Sequence, residues 1–158
     1  MKIEIHPAGQ NDLDRVAELV EELLGEIMDA LGTQEFHFNR GEAKARAGDF
    51  LRRGVYFPFI AWSIEPRQAL GLICLYESHA LYAEGDFGTI AELYVRPAFR
   101  SQGVGALLLE QARAFGGAKA WTRLEVTTPP LPLFDKTLAF YERHGFAITG
   151  GRKLKTIL

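Results

Sequence analysis

The chain has 158 residues, which fits one domain spanning residues 1–158 and allows a core without disulfides or a structural metal. Its formal net charge of −2 gives no basic surface for nucleic acid, and no apolar run approaches the roughly 18 residues of a membrane span. A lone cysteine, Cys74, excludes an internal disulfide and a thiolate metal cluster, and a reducing cytoplasmic location is expected.

The first half of the chain predicts one strand, two helices and three further strands. Ile3 to Ile5 alternates in polarity and stops at Pro7, which is typical of a short strand. Asn11 or Asp12 can cap the following helix, whose apolar residues keep helical spacing. The remaining elements are a helix near 42–53, strands at 55–62, 69–76 and 89–95, and a polar connection at 77–86.

The second half predicts two helices, a strand between them and a closing hairpin. The predicted ranges are a helix from 104 to 117, a strand at 124–127, a helix at 133–144 and strands at 146–149 and 152–157. The order β-α-α-β-β-β-α-β-α-β-β indicates an α/β fold. It combines a mixed, mostly antiparallel central sheet with helices on both faces.

The most informative segment joins the strand at 89–95 to the following helix and runs from Arg100 to Gly105. Glycines allow backbone N–H groups to approach an anion, and a helix N-terminus carries unpaired N–H groups with partial positive charge. Arg100 adds a full charge. This combination predicts a pyrophosphate site, although two glycines alone would favour a plain turn. The spacing fits neither the dinucleotide fingerprint nor a Walker loop.

Residues 92–108 resemble motif A of the GCN5-related N-acetyltransferase (GNAT) superfamily, written Arg/Gln-x-x-Gly-x-Gly/Ala after the fourth strand. Residues 140–146 resemble the second motif of that family, and the element order is similar over nearly the whole chain. The chain departs from the family pattern at Phe134 and Thr137, where asparagine and alanine are frequent. A cofactor contact that the asparagine often makes is therefore not expected here.

The resemblance implies an acetyl-CoA-dependent N-acyltransferase whose acceptor is an amine of a small molecule or peptide. It implies no metal and is compatible with a monomer or a homodimer. In the family the cofactor's pantetheine inserts beside the fourth strand, as in β-augmentation. The residues expected to bind the cofactor are Leu93, Val95, Arg100, Ser101, Gln102, Gly103, Val104, Gly105, Ala106 and Phe140.

Two residues are candidates for the proton transfers that acetyl transfer to an amine requires. The tyrosine of the family that matches Tyr141 acts as general acid; otherwise Tyr141 is a core residue packed with its helical neighbours. Glu92 lies with Ile90 and Tyr94 on one predicted strand face, and an unpaired buried carboxylate is costly. Glu92 is therefore predicted to face a polar cleft. The resemblance implies a role as general base, since some family members use a glutamate here; the alternative is a structural carboxylate that braces a neighbouring backbone group.

Other residues offer alternatives. His37 and His79 could act as the base, although surface histidines are common in connections; Cys74 is expected to be packing, and His144 to assist a helix C-terminus. The acceptor side implied by the resemblance is acidic and aromatic, which suits a cationic amine but also an ordinary solvated surface. Its residues are Glu21, Glu22, Glu26, Asp29, Glu35, Glu77, Glu84 and Asp86, with Phe36, Phe38, Tyr56 and Tyr82. The alternative function is a catalytically silent acyl-CoA-binding module with a regulatory or scaffold role.

Overall fold

The computed structural model describes residues 1–158, and short 3₁₀ turns join several of its elements. None of the helices is both long and apolar enough to cross a membrane. The strands are β1 (Ile3–Pro7), β2 (Phe57–Ile64), β3 (Arg67–Ala80), β4 (Gly85–Val95) and β5 (Leu124–Val126). The helices are α1 (Leu13–Leu31), α2 (Arg40–Arg53), α3 (Val104–Ala118) and α4 (Asp135–Arg143).

The five strands form one sheet in the order β1-β2-β3-β4-β5. The first four pair antiparallel, and β5 pairs parallel to β4. A parallel pair needs a crossover, which α3 provides. The sheet is therefore mixed and mostly antiparallel, as predicted.

Neighbouring residues of β2 reach the two faces of the sheet. Ile60 belongs to a buried cluster with Val16 and Leu19 of α1, whereas the ring of Phe59 packs edge-on against Phe115 of α3 with centroids 5.3 Å apart. Successive side chains of a strand point to opposite faces. Helices α1 and α3 consequently cover opposite faces, which confirms the predicted layers.

The connection between β3 and β4 is shorter than predicted. Residues 77–86 were predicted to be a polar connection, but β3 continues to Ala80 and β4 already begins at Gly85. His79 and Asp86 lie opposite each other in the ladder, with His79 Nδ1 2.8 Å from Asp86 Oδ1. Polar residues that pair across two strands support the ladder, so their polarity does not end it.

The chain divides into two compact units, residues 1–127 and residues 128–158. In the second unit, residues after α4 form neither helix nor strand, so the strands predicted at 146–149 and 152–157 are wrong. Ile148, Leu154 and Ile157 are exposed. A hairpin that buries no apolar face is not stable, which explains the absence of these strands. The single domain over residues 1–158 remains a prediction.

Candidate active site

One edge of the last part of β4 has no strand beside it, because β5 pairs with β4 only as far as Ile90. On the opposite edge the N–H group of Arg96 donates to Leu70 O at 2.9 Å. Antiparallel hydrogen bonding alternates along a strand, so the backbone groups of Leu93 and Val95 point away from β3. These are the two residues whose backbone was predicted to pair with a pantetheine chain.

Gly71 brings β3 close to β4 at the point where β4 ends. It lies opposite Val95, and a Cβ atom at this position would lie 2.3 Å from the carbonyl oxygen of Tyr94. A side chain at Gly71 would therefore displace the end of β4. Because β3 contacts β4 closely along one edge, the backbone groups on the opposite edge of β4 are available at a defined position.

The predicted phosphate loop follows directly from this strand. After the 3₁₀ turn Pro97–Phe99, Ser101 and Gly103 adopt positive φ angles of 62° and 83°, and α3 begins at Val104. The first N–H groups of a helix have no partner within it, and the first turn of α3 carries no acidic residue. The loop and helix terminus thus fit an anion such as a pyrophosphate.

The other loop residues leave the backbone accessible. Gln102 donates from Nε2 to the carbonyl oxygen of Ala98 at 3.2 Å, which closes the loop on itself. Gly105 and Ala106 form the first turn of α3 and are half-buried. The N-terminus of α3 therefore presents main-chain groups and small residues.

The guanidinium of Arg100 is engaged by protein groups. It donates from Nε to Val95 O at 2.8 Å, and from Nη1 and Nη2 to Glu26 of α1 at 2.8 and 2.6 Å. The hydrogen bonds with Glu26 raise the pKa of Arg100. The sequence predicted an arginine charge beside a pyrophosphate, whereas the structure pairs that charge with a carboxylate. A role of Arg100 in anion binding remains a prediction.

Arg96 makes a second link to α1 that sequence reasoning did not find. It donates to Glu22 from Nε and Nη2 at 3.0 and 2.8 Å, to Glu18 at 3.1 Å, and to the carbonyl oxygen of Ala69 at 3.1 Å. The hydrogen bond from Arg96 lowers the pKa of Glu22. The partners lie 74 residues apart in the chain, so no local spacing could indicate the pair. Arg96 ties α1 to the end of β4.

A β-bulge at Ala91 decides where Glu92 points. Glu92 lies opposite Cys74, whereas Ile90 lies opposite Leu75, so Ala91 is the extra residue of the ladder. The sequence predicted Ile90 and Glu92 on one face, and this was wrong because the bulge reverses the alternation between them. Glu92 instead shares a face with Cys74 and with the cluster that packs against α1.

The carboxylate of Glu92 is hydrogen-bonded by one side chain and lies beside another. The hydroxyl of Tyr56 donates to Glu92 Oε2, and Cys74 lies directly opposite Glu92 in the ladder. Burial raises the pKa of Glu92 above its ordinary value, against the opposing effects of Tyr56 and Cys74. A carboxylate with a raised pKa suits proton transfer near neutral pH. The sequence contained no signal for this cluster, since Tyr56 and Glu92 are 36 residues apart.

Tyr141 lies on α4 in the second unit with its ring buried. The ring contacts Phe140 and Phe146, with centroids 5.5 and 5.3 Å apart, and Phe140 also contacts the ring of His144. Burial raises the pKa of Tyr141, and no hydrogen bond to another group contributes to this shift. The phenol is therefore protonated at neutral pH, as a general acid must be.

The two histidines considered as alternative bases are exposed. His79 is bonded to Asp86 at 2.8 Å, and this hydrogen bond raises the pKa of His79. An imidazole that favours its protonated form is a weaker base candidate than the carboxylate of Glu92. His37 lies in the segment between α1 and α2.

Several acidic residues of the predicted acceptor side already have cationic partners. These ion pairs are Glu21 with Arg40, Glu22 with Arg96, and Glu26 with Arg100. A paired carboxylate attracts a distant cation less than an unpaired one. The acidic composition of α1 is therefore weaker support for a cationic acceptor than the sequence alone indicated.

Comparisons with known proteins agree with this architecture. The sequence matches the profile of the family described as "Acetyltransferase (GNAT) domain" over residues 59–148, more than half of the chain. A search of curated proteins finds no significant match.

Solved structures of similar fold cover nearly the whole chain. An aminoglycoside acetyltransferase from an uncultured soil metagenomic sample, in complex with sisomicin, superposes with a TM-score of 0.76 at 19% identity, covering 99% of this chain and 96% of its own. A GCN5-related N-acetyltransferase from Ralstonia eutropha gives 0.75 at 18%, covering 98% and 99%. A predicted acetyltransferase with acetyl-CoA from Clostridium acetobutylicum gives 0.76 at 14%, covering 98% and 96%. At these identities the likeness shows a common fold.

Proposed function

We propose that this chain, which belongs to the GNAT acetyltransferase family, transfers an acetyl group from acetyl-CoA to a primary amine of a small molecule or a protein. One observation carries the proposal: the free edge of β4, where the backbone of Leu93 and Val95 points outward, runs directly into the N-terminus of α3. An extended chain that ends in a pyrophosphate needs these two sites in this order along the chain.

The residues present fit the donor. Leu93 and the N–H group of Val95 offer backbone hydrogen bonds to the pantetheine, while the carbonyl of Val95 is already used by Arg100. Residues 101–106 offer N–H groups to the pyrophosphate. Bound acetyl-CoA supplies the activated acyl group as a thioester.

Two side chains would handle the protons. An ammonium must lose a proton before it can act as a nucleophile, and the Glu92 carboxylate, with its raised pKa, would accept that proton directly or through a water molecule. The hydroxyl of Tyr141 would hold the proton that the departing sulfur requires. The burial of Tyr141 keeps this proton in place at neutral pH.

A small-molecule polyamine is one acceptor to test first, because one structural relative is described as an aminoglycoside acetyltransferase in complex with sisomicin. Thiol release from acetyl-CoA should be measured with aminoglycosides, linear polyamines, amino acids and a lysine peptide. We expect at least one amine to raise thiol release well above the rate without acceptor. Binding of acetyl-CoA with no turnover for any amine would favour the silent acyl-CoA-binding module.

Gly103→Ala tests the phosphate loop. We expect it to weaken acetyl-CoA binding by about tenfold or more, measured by calorimetry, because the positive φ of Gly103 is strained for alanine and the loop must shift. The matched control is Gly54→Ala at the end of α2. Gly54 also has a positive φ, and at neither glycine would a Cβ meet another atom within 4 Å. Both variants should lose similar stability, but only Gly103→Ala should lose affinity; equal affinities would remove the loop from the site.

Arg100 and Glu26 test whether the charge of the loop acts on the anion. Arg100→Gln should weaken acetyl-CoA binding about two- to fivefold, as expected for a partly exposed charge pair, and Glu26→Gln should strengthen it by a similar factor. Both effects should shrink at high salt. If both variants weaken binding, the pair only braces the loop, and Arg100 is not an anion ligand.

A further inference from the structure

The side chains of Tyr56, Cys74 and Glu92, which come from separate parts of the first unit, form one cluster. Tyr56 lies just before β2, Cys74 lies on β3 directly opposite Glu92, and the Tyr56 hydroxyl donates to Glu92 Oε2. The thiol of Cys74 is fully buried, and both of the other groups affect its pKa. This cluster contains the only cysteine of the chain and a tyrosine that the proposed mechanism does not use.

Both neighbours of Glu92 keep their protons. Burial raises the pKa of the Tyr56 phenol, and burial together with the charge of Glu92 raises the pKa of the Cys74 thiol. The protonated phenol donates to the carboxylate, and the protonated thiol lies opposite Glu92 and can act only as a weak donor. They can therefore hold the ionised form of Glu92 without taking its proton.

No cation takes part in this cluster. The shift of the Glu92 pKa arises from burial, Tyr56 and Cys74. On α1, Glu22 is bonded to Arg96 and Glu26 to Arg100. From α2, the apolar ring of Phe50 packs against Tyr56, with ring centroids 5.4 Å apart. The basicity of Glu92 thus depends on burial and on neutral neighbours, without a cation.

We propose that Tyr56 is a positioning residue for acetyl transfer, which holds one oxygen of the Glu92 carboxylate and leaves the other to accept the proton of the acceptor. The proposal rests on Glu92 as the base in the proposed function. The aromatic contact with Phe50 holds the phenol in place, and the bulge at Ala91 turns Glu92 toward it. Tyr56 acts through Glu92 and is not itself a proton acceptor or donor in the reaction.

Burial and the neighbouring donors shift the pKa of Glu92 in opposite directions. Burial makes the carboxylate more basic, while the donors stabilise its charged form and prevent permanent protonation. Without the Tyr56 hydroxyl, the balance should move toward the protonated acid. The pH at which the base becomes active should then rise, even though the carboxylate itself is retained.

The test compares Tyr56→Phe with the unchanged protein by two measurements. The pKa of Glu92 is read by NMR of protein labelled with ¹³C at the glutamate side-chain carboxyl, with the Glu92 signal assigned by its loss in Glu92→Gln. The acidic limb of kcat/KM is read from acetyl transfer. We expect Tyr56→Phe to raise the pKa of Glu92 and the pKa of the acidic limb by about one unit each, the size of one charge-assisted hydrogen bond. The rate should recover at higher pH.

Matched variants separate this effect from general damage. Cys74→Ala should raise the pKa of Glu92 by a smaller amount because a thiol is a weak donor, and Cys74→Ser should restore a donor and reverse the rise. Tyr94→Phe is the control, since the Tyr94 hydroxyl bonds to Glu22 at 3.3 Å and not to Glu92. The Glu92 titration should not move in Tyr94→Phe.

The outcomes separate this proposal from the proposed function. An unmoved Glu92 titration in folded Tyr56→Phe overturns the positioning role, whatever the rates do. A uniform fall in rate at every pH, together with an unmoved Glu92 pKa, indicates structural damage and likewise overturns it. A raised Glu92 pKa with an unmoved acidic limb supports the link from Tyr56 to Glu92 and instead removes Glu92 as the base.

Discussion

Tyr141→Phe should lower kcat for acetyl transfer by about 10²-fold, the low end of general acid catalysis, and leave the Kd of acetyl-CoA nearly unchanged. The substitution removes only the hydroxyl. The ring keeps its contacts with Phe140 and Phe146. Since no other side chain shifts the pKa of this hydroxyl, its loss leaves no buried partner unsatisfied. Stopped-flow or single-turnover measurement of thiol release should detect the slower step.

Tyr76→Phe provides the control for this substitution. Tyr76 lies on β3 with an exposed side chain, so Tyr76→Phe should have the same kcat as the unchanged protein. The thermal unfolding midpoints should show that Tyr141→Phe is folded. If Tyr141→Phe turns over at the unchanged rate while the chemical step is rate-limiting, Tyr141 is a core residue and another group protonates the sulfur.

The proposed donor site is the part of the molecule that the sequence predicted best. The strand, the 3₁₀ turn and the helix around Gly103 follow one another without a long-range step, so local pattern predicted them. The outward direction of the Leu93 and Val95 backbone follows from the family resemblance and agrees with the hydrogen bond of Arg96 to Leu70 O.

The surroundings of Glu92 could not be predicted in the same way. Whether Glu92 faces α1 or α3 depends on the single extra residue Ala91, which changes no hydrophobic pattern in the sequence. Its partners Tyr56 and Cys74 reach it through strand register, which is a property of the folded sheet.

The same limit applies to charge. The acidic residues of α1 suggest an acidic surface, yet Arg96 and Arg100, which follow β4, form ion pairs with Glu22 and Glu26. Formal charge counted along the sequence therefore overstated the field that an acceptor would meet. The predicted C-terminal strands were wrong because local composition does not show whether a segment can be buried. Ile148 and Leu154 are typical strand residues, but both are exposed.

Glu92→Gln should lower kcat/KM by about 10²- to 10³-fold near neutral pH and remove the acidic limb that reports the base. Glutamine keeps the length of the side chain and can still accept the hydrogen bond of Tyr56, but it cannot take a proton. Acceptors with different ammonium pKa values must be compared, because the deprotonation of the acceptor also shapes the profile. The limb that disappears for every acceptor belongs to the enzyme.

Stability provides the decisive second measurement, because the two roles of Glu92 predict opposite changes. Burial raises the pKa of Glu92 in the folded protein, so the folded state binds its proton more tightly than the unfolded chain does. The resulting contribution to stability is complete below the ordinary carboxyl pKa and is lost as the pH rises through the raised pKa. At neutral pH the unchanged protein therefore carries the cost of a buried charge, which the Glu92→Gln variant would not carry.

A catalytic Glu92 predicts a variant that is slower but as stable as the unchanged protein, or more stable, by denaturant unfolding at neutral pH. A structural brace predicts the reverse, with rates retained and stability lost. A folded Glu92→Gln protein with unchanged rates near neutral pH and an unaltered acidic limb would exclude Glu92 as the base.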